Sequence, residues 1–275
     1  MHALLRACWA STCPTSSAWW WSINPGGAAT IGLSLLAAAK PDGYTLGFTP
    51  SGTMEIMQHY GRTSWSVDDF EPILAVLDVP ASINVFNDSE FTDYAQWKAY
   101  VDANPNKFTF TSSGGTGNAT HLAMERFMEE TGVELRHVPF EGAAAGKSAV
   151  LGGQVMGSFA MPDLHQGGDI RPLVFLTDVK PVGEVYDDIP FGSELGIPVT
   201  VSFPMGVFAP QGISAERAAI LHDAFKAAMD DPAVINVFES SGLPQVYKDG
   251  ATFAEGIRAR SADNQRLMKQ LGLIQ

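Results

Sequence analysis

The chain has 275 residues, 45% of them hydrophobic, which is enough to fill the cores of two domains of ordinary size. It carries 17 Lys and Arg against 30 Asp and Glu, a net charge of −13, and no basic run that would neutralise the phosphates of a nucleic acid. Its longest apolar stretches, such as Ile31–Ala39, are much shorter than the roughly 20 residues that span a bilayer.

Residues 1–25 differ from the rest of the chain. They contain both cysteines and four of the six tryptophans, without the periodicity of a helix or a strand and without the apolar run of a secretory signal. Read two bases later, the codons of Trp19–Trp21 encode Val-Val-Val, a sequence typical of a buried parallel strand. We therefore expect 1–25 to be a non-native segment, caused by a frame shift or a misplaced start, on a chain that lacks its first strand.

From Gly26 onward, helical and strand patterns alternate, separated by Gly and Pro. Thr92 is predicted to cap the helix that begins near Phe91. Strands that alternate with helices of this size imply mainly parallel sheets covered on both faces. The predicted helices are Ala28–Ala39, one opened by the loop Pro50–Tyr60, Phe91–Pro105, one beginning near Ala119, Ala143–Gly153, Ile213–Met229, Pro232–Gly242 and Phe253–Leu271; the predicted strands are Tyr44–Thr49, the strand-rich stretch Glu71–Phe86, one that ends at the loop after Thr109, Val133–Phe140, Val155–Met161 and Ile170–Leu176.

Two loops have the composition of an anion site. Ser51–Thr53 and Ser112–Asn118 each follow a predicted strand and open a helix with small and hydroxyl-bearing residues. Such loops leave backbone N–H groups uncovered at the positive end of the helix dipole, where a carboxylate or a phosphate would fit. Alternatively, the glycines only make tight turns, and the Ser, Thr and Asn residues only cap helices.

Motifs of other functions are incomplete. Glu141–Ala149 resembles a phosphate-binding P-loop, but Glu141 stands where the first glycine is required. His121 and Glu125 form a helical pair without an evident third metal ligand, and no G-x-S-x-G nucleophile motif occurs. We expect no metal, no cofactor and no catalytic residues, and we interpret His121 as a ligand-facing or capping residue, with a buried structural role as the alternative.

Four stretches carry a resemblance to a known family: NPGGAATIGLSLLAAAKPDGYTLGFTPSGTMEI, TFTSSGGTGNATHLAMERFMEETGVELRHVPFEG, LGGQVMGSFAMP and MGVFAPQGIS. In order along the chain, they resemble the periplasmic receptors of tripartite tricarboxylate transporters, also called the Bug family. The resemblance implies a type II periplasmic binding-protein fold, in which two α/β lobes joined by hinge strands close on a small organic acid. It also implies a periplasmic, monomeric receptor that delivers its ligand to membrane permease subunits.

The same resemblance assigns a ligand-binding set. Residue by residue, the family's two glycine-containing loops and the segments beside them match the following positions: Ser51, Gly52 and Thr53 in the first lobe, and Ser112, Ser113, Gly114, Thr116, Gly117, Asn118, His121, Phe140, Glu141, Gly142 and Met161 in the second. Where many relatives have an Asp associated with amino-acid ligands, this chain has Ala160 followed by Met161, which disfavours a ligand with an ammonium group. The family's first strand and the loop after it have no counterpart.

We expect lobe 1 to comprise 26–87 and 206–275 and lobe 2 to comprise 88–205, with hinges at Ile83–Phe86 and Val207–Phe208. Two other classes of function stay open from the residues. The effector-sensing domain of a transcription regulator shares the two-lobe fold but would need a DNA-binding helix pair, which the sequence does not show. An enzyme acting on carboxylates would need an ordered nucleophile, base or metal set.

Overall fold

A computed structural model describes residues 29–160 and 168–275, so the predictions for 1–25 and for Met161 lie outside the described residues. The described chain divides into two compact units. Unit 1 consists of 29–78, 203–269 and 274–275, and unit 2 consists of 79–160, 168–202 and 270–273. Among the described helices, none combines the length and the apolar character needed to cross a membrane.

Unit 1 is built around an antiparallel sheet with the strand order β1-β8-β2-β9. Its strands are β1 (Gly47–Pro50), β2 (Phe70–Asp78), β8 (Pro204–Pro210) and β9 (Gln245–Asp249). Its helices are α1 (Thr30–Ala37), α2 (Gly52–Met57), α6 (Ala215–Met229), α7 (Pro232–Ser241) and α8 (Gly250–Gln270), whose last residue, Gln270, is assigned to unit 2.

Local chemistry explains where these helices begin and end. Ser214 caps α6 by accepting the N–H of Arg217, and Asp231 caps α7 just before Pro232. Gly242 ends α7 in the left-handed conformation. The core lies between the sheet and α1, α2 and α8, and its buried members are Leu33, Leu36, Met54, Trp65, Phe70, Ala75, Phe208, Phe253 and Ile257.

Unit 2 has a five-stranded mixed sheet with the order β5-β4-β6-β3-β7. The strands are β3 (Ser82–Phe86), β4 (Thr109–Ser112), β5 (Arg136–His137), β6 (Gly157–Ala160) and β7 (Ile170–Phe175). The helices are α3 (Tyr94–Ala103), α4 (Ala119–Thr131) and α5 (Ala143–Leu151).

The core of unit 2 is rich in aromatic rings. Trp97 of α3 is fully buried, with its ring edge-on to Phe108 at 5.6 Å and beside Phe127 of α4 at 6.1 Å. Aromatic pairs in such offset or edge-on arrangements stabilise a core beyond the area they bury. These contacts fix α3 and α4 against the strand that leads into the glycine-rich loop.

The expectation of mainly parallel sheets is wrong. In unit 2, β4 pairs in parallel with β5 and β6, but β3 runs antiparallel to both β6 and β7. In unit 1, β8 runs antiparallel to β1 and β2 and lies between them. The rule of parallel pairing holds for strands joined by a helical crossover, whereas β3 and β8 are the first strands after the chain passes from one unit to the other.

Two predicted positions differ from those in the structure. The units divide after Asp78 and after Ser202, whereas the sequence placed the divisions after Asn87 and after Met205. Ile83–Phe86 therefore pair within the sheet of unit 2, and Val207–Phe208 pair within the sheet of unit 1. Both runs lie inside a paired strand rather than at a division between the units.

The N-cap of α3 also differs from its prediction. Asp93 rather than Thr92 caps this helix, because the Asp93 carboxylate accepts the Gln96 N–H at 2.9 Å. The side-chain oxygen of Gln96 in turn accepts the N–H of Thr92 at 3.2 Å. Thr92 thus precedes the cap and has its own N–H satisfied by the first turn.

Candidate functional site

The glycine-rich loop of unit 2 joins the end of β4 to the start of α4. Asn118 caps α4 from an extended backbone conformation, and its Oδ1 accepts the N–H of His121 and the hydroxyl of Thr120, both at 2.8 Å. The predicted helix start near Ala119 is confirmed. A 13-residue helix thus points its N-terminus, the positive end of its dipole, at the loop.

Hydrogen bonds fix the path of the loop at two backbone positions. The N–H of Ser113 donates to Thr120 Oγ1, and the N–H of Gly117 donates to His121 Nδ1, both at 3.1 Å. Gly115 and Gly117 lie at φ values of 81° and 78°, in the left-handed region that favours glycine. The N–H of Gly117 is thus already held by His121, and a ligand role for Gly117 stays a prediction.

Several donors of the loop have no acceptor among the described residues. These include the backbone N–H groups of Gly114 and Thr116. The buried atoms Ser113 Oγ and Asn118 Nδ2 are also without a hydrogen-bond partner within the described chain. Buried polar groups in proteins are nearly always paired, so this concentration of unpaired donors beside a helix N-terminus has the chemistry of an anion site.

A second histidine holds the beginning of the loop. Ser112 is buried, and its Oγ lies 3.0 Å from His137 Nε2 and 3.2 Å from the carbonyl oxygen of Gly115. Burial, and then the neighbouring His121, lower the pKa of His137 to about 4. The neutral imidazole can therefore donate its Nε2–H to Ser112, while the hydroxyl donates to Gly115.

The segment Phe140–Gly142 borders the same loop. A Cβ atom added to Gly115 would lie 3.6 Å from Glu141 Oε1 and 4.0 Å from the carbonyl oxygen of Phe140. Gly142, at a φ of 87°, immediately precedes α5 and forms its N-cap without a side-chain hydrogen bond. The structure therefore brings the predicted residues of 112–118, His121 and 140–142 together within unit 2.

The first predicted loop, Ser51–Thr53, has a different environment within unit 1. Ser51 is fully buried, its N–H donates to the carbonyl of Pro204 at 3.0 Å, and its Oγ lies 3.4 Å from Arg260 Nη2. Gly52 and Thr53 are half-buried at the start of α2, which has only six residues. A ligand role for Ser51, Gly52 and Thr53 stays a prediction.

An ion pair that the sequence analysis missed lies beside Ser51. Arg260 of α8 donates through Nε and Nη2 to Glu55 Oε1, at 3.0 and 2.8 Å. Glu55 is buried, and burial raises the pKa of its carboxyl group, against the opposing effect of Arg260. No local sequence pattern reveals the pair, because its members are 205 positions apart.

A metal site at His121 and Glu125 gains no support, because no third potential ligand lies with them among the described residues.

Ala160 is buried at the end of β6, and Met161 follows it outside the described residues.

Over residues 22–273, the sequence matches the receptor family of tripartite tricarboxylate transporters. The chain belongs to this family. A Cupriavidus necator protein encoded in the 5′ region of gbd is 27% identical over 254 residues, which cover 91% of this chain and 76% of that protein. BugT of Bordetella pertussis is 25% identical over 231 residues, which cover 80% of this chain and 69% of BugT.

Solved structures confirm the fold class. A solute-binding protein of the same family from Polaromonas superposes with a TM-score of 0.81 at 21% identity, over 98% of this chain and 92% of that one. An R. palustris protein solved with adipate gives 0.72 at 24% identity, over 90% and 84% of the two chains. MatC of Rhodopseudomonas palustris, with bound malate, gives 0.68 at 20% identity, over 88% and 85%. The protein is therefore a solute receptor by family, with a periplasmic binding-protein fold.

Proposed function

We propose that this receptor binds a small organic acid and that the loop Ser112–Asn118 holds one carboxylate of the ligand. The observation that carries the proposal is the set of unpaired donors in the loop: backbone N–H groups, Ser113 Oγ and Asn118 Nδ2. They lie at the N-terminus of α4, where the helix dipole favours a negative charge. Thr116, which is exposed, adds a hydroxyl donor at the tip of the loop.

The energies are sufficient without a cationic side chain. Hydrogen bonds to a charged group contribute roughly 1.5–3 kcal/mol each. A few of them approach the roughly 8 kcal/mol of a micromolar complex, before the cost of immobilising the ligand is subtracted. The net charge of −13 opposes this binding only weakly, because salt screens it over about 8 Å whereas the donors act at contact distance.

Ligands of the structural neighbours support the choice of acid. Adipate and malate, found in the two R. palustris proteins, are both dicarboxylates. We propose the same ligand class here, bound and released unchanged rather than converted as by an enzyme. By family, we also propose a periplasmic location, a monomeric receptor, and delivery of the ligand to the permease subunits of a tripartite tricarboxylate-type transporter.

The remaining predicted residues belong to the same proposal. Phe140, Glu141 and Gly142 border the loop within unit 2 and would flank the bound carboxylate. The ligand role of Ser51, Gly52 and Thr53 in unit 1 is also part of the proposal. Because the Ser51 N–H already donates to Pro204 and its hydroxyl lies beside Arg260, Gly52 and Thr53 would supply the donors of this loop.

The test is a screen of the whole chain for thermal stabilisation. The panel contains adipate, malate, citrate, aromatic monocarboxylates and an amino acid, with the corresponding amides as uncharged controls. A ligand that binds only the folded state raises the free energy of unfolding by RT ln(1 + [L]/Kd) and therefore raises the melting temperature. We expect a shift with at least one dicarboxylate and none with its diamide.

Two results would contradict the proposal. Equal shifts with an acid and its amide would show that the carboxylate is not recognised. Disappearance of the acid and formation of a product, followed by NMR during prolonged incubation, would indicate an enzyme instead of a receptor.

A further inference from the structure

His121 lies behind the glycine-rich loop, with both ring nitrogens engaged. Nδ1 accepts the Gly117 N–H at 3.1 Å, and Nε2 lies 3.2 Å from Glu125 Oε1, one turn further along α4. The residue is only 5% exposed, and its ring lies against that of His137, with 4.0 Å between the centroids. This environment is that of a side chain enclosed by its own unit.

These contacts define the proton positions of the imidazole. A ring nitrogen that accepts an N–H carries no proton, so the proton of neutral His121 resides on Nε2, the nitrogen that lies 3.2 Å from Glu125 Oε1. A carboxylate so close to Nε2 favours a proton on that nitrogen by charge, and therefore favours the tautomer in which Nδ1 is free to accept. A carboxylate behind an imidazole sets the tautomer in the same way at many functional histidines.

The Gly117 N–H is the backbone group that this arrangement controls. Gly117 is buried at a φ of 78° and follows Thr116, whose N–H group has no acceptor among the described residues. Removing the acceptor would leave Gly117 with a buried unpaired donor, which destabilises this conformation of the turn. The turn would then rotate to satisfy this donor and would carry the neighbouring N–H groups with it.

We propose that His121 is a positioning residue for the anion loop, acting through Gly117 and oriented by Glu125, rather than a residue that touches the ligand. Its ligand-binding consequence rests on the proposed function, but its effect on the loop does not. The charged or titratable groups around it are Glu125 on α4 and His137 on β5, with Glu141 beside Gly115.

Two amide substitutions separate the roles of the two ring nitrogens. In His121→Asn, the side-chain oxygen is the same number of bonds from Cβ as Nδ1, so the acceptor for Gly117 is kept. In His121→Gln, the side-chain amide nitrogen corresponds to Nε2, so the contact to Glu125 is kept and the acceptor for Gly117 is lost. Both remove the imidazole and its packing against His137, which makes them matched controls for each other.

The experiment measures hydrogen exchange of the Gly117 amide by NMR and affinity for adipate by calorimetry. We expect slow exchange and near-normal affinity in His121→Asn. In His121→Gln, we expect exchange at least tenfold faster and affinity about tenfold weaker, as for the loss of one hydrogen bond of the loop. Equal exchange in the two variants would overturn the inference.

The other outcomes are also decisive. If adipate does not bind the wild-type protein, the proposed function loses that ligand, while the exchange rates still decide the role of His121. If adipate binds both variants equally although their exchange rates differ, the inference for binding fails and the proposed function stands. If neither variant folds, imidazole nitrogen shifts of the wild-type protein decide: a proton on Nδ1 of His121 at pH 7 would overturn the inference.

Discussion

At the scale of single residues, removing the exposed hydroxyl of Thr116 tests whether the loop binds a ligand or only forms a turn. The hydroxyl has no partner among the described residues and does not support the fold. Thr116→Val keeps the size of the side chain, so we expect affinity for the best acid to fall about tenfold, the loss of one charge-assisted hydrogen bond. Thr92→Val, another exposed position of unit 2, is the control and should bind normally. Calorimetric titration of both variants is the measurement; an unchanged Thr116→Val would remove its side chain from the site.

Glu141 places a negative charge beside a loop that we expect to bind an anion. In water, two unit charges 4 Å apart interact by about 1 kcal/mol. Because Glu141 is exposed and borders Gly115, we expect Glu141→Gln to tighten dicarboxylate binding by about two- to fivefold at low salt. Glu130→Gln changes the charge equally at the other end of α4 and should have little effect. Weaker binding in Glu141→Gln would mean that the Glu141 carboxylate does not repel the ligand and instead organises the site.

The pKa of His137 links the stability of the fold to pH. Its folded-state value is about 4, below the ordinary 6.5, because burial and His121 disfavour the charged ring. Between these two values the unfolded chain binds more protons, so stability falls as the pH is lowered from about 6.5 to about 4. His137→Gln keeps a donor for Ser112 but does not titrate. Urea unfolding of both proteins should therefore show a steeper loss in the wild type over this range; parallel curves would contradict the assignment.

At the scale of elements, the sequence predicted local features better than pairings. Asn118, Ser214 and Asp231 precede helices because a short polar side chain satisfies an N–H of the first turn, a contact within three residues. The direction of β3 and β8 depends instead on contacts with strands far away in the chain, so the same local pattern fits either direction. Neither β8 nor β9, an edge strand of unit 1, is among the strands predicted from the sequence.

The same contrast between local features and long-range contacts applies to the candidate site. The composition of 112–118 predicted a loop rich in donors at a helix N-terminus, and the structure agrees. The sequence did not show which donors are already occupied. The Gly117 N–H is held by His121, a contact whose four-residue spacing is visible in the sequence but whose direction depends on the left-handed turns at Gly115 and Gly117.

The Glu55–Arg260 pair joins α2 to α8, and we expect it to be required for the stability of unit 1. Arg260→Met would leave the buried Glu55 carboxylate without its partner, which typically costs 3–5 kcal/mol. Adding Glu55→Gln should recover part of the loss, because the remaining group is then uncharged. Arg258→Met on the same helix removes an exposed pair with Asp68 and should cost at most about 1 kcal/mol. Chemical unfolding measures all three; equal losses at positions 258 and 260 would refute the distinction.

At the scale of the whole molecule, the acidic charge and an anionic ligand are compatible only if recognition is local. A site built from Arg or Lys side chains attracts its anion by charge, so added salt weakens binding. In the proposed site the attracting groups are backbone and side-chain dipoles, whereas the net charge of −13 would repel an anionic ligand at a distance. Salt screens the long-range repulsion more than it screens hydrogen bonds at contact.

We therefore expect affinity for a dicarboxylate to stay constant or to rise modestly, by up to about threefold, between 10 and 150 mM salt, as the Debye length shrinks from about 30 to 8 Å. Sodium chloride and sodium sulfate should be compared at matched ionic strength, because sulfate could compete for the same donors whereas general screening affects both series equally. The monocarboxylate of equal length should show a smaller dependence, since its charge is half as large. A steep fall in affinity with either salt would require a cationic group at the site, which the proposed loop does not provide.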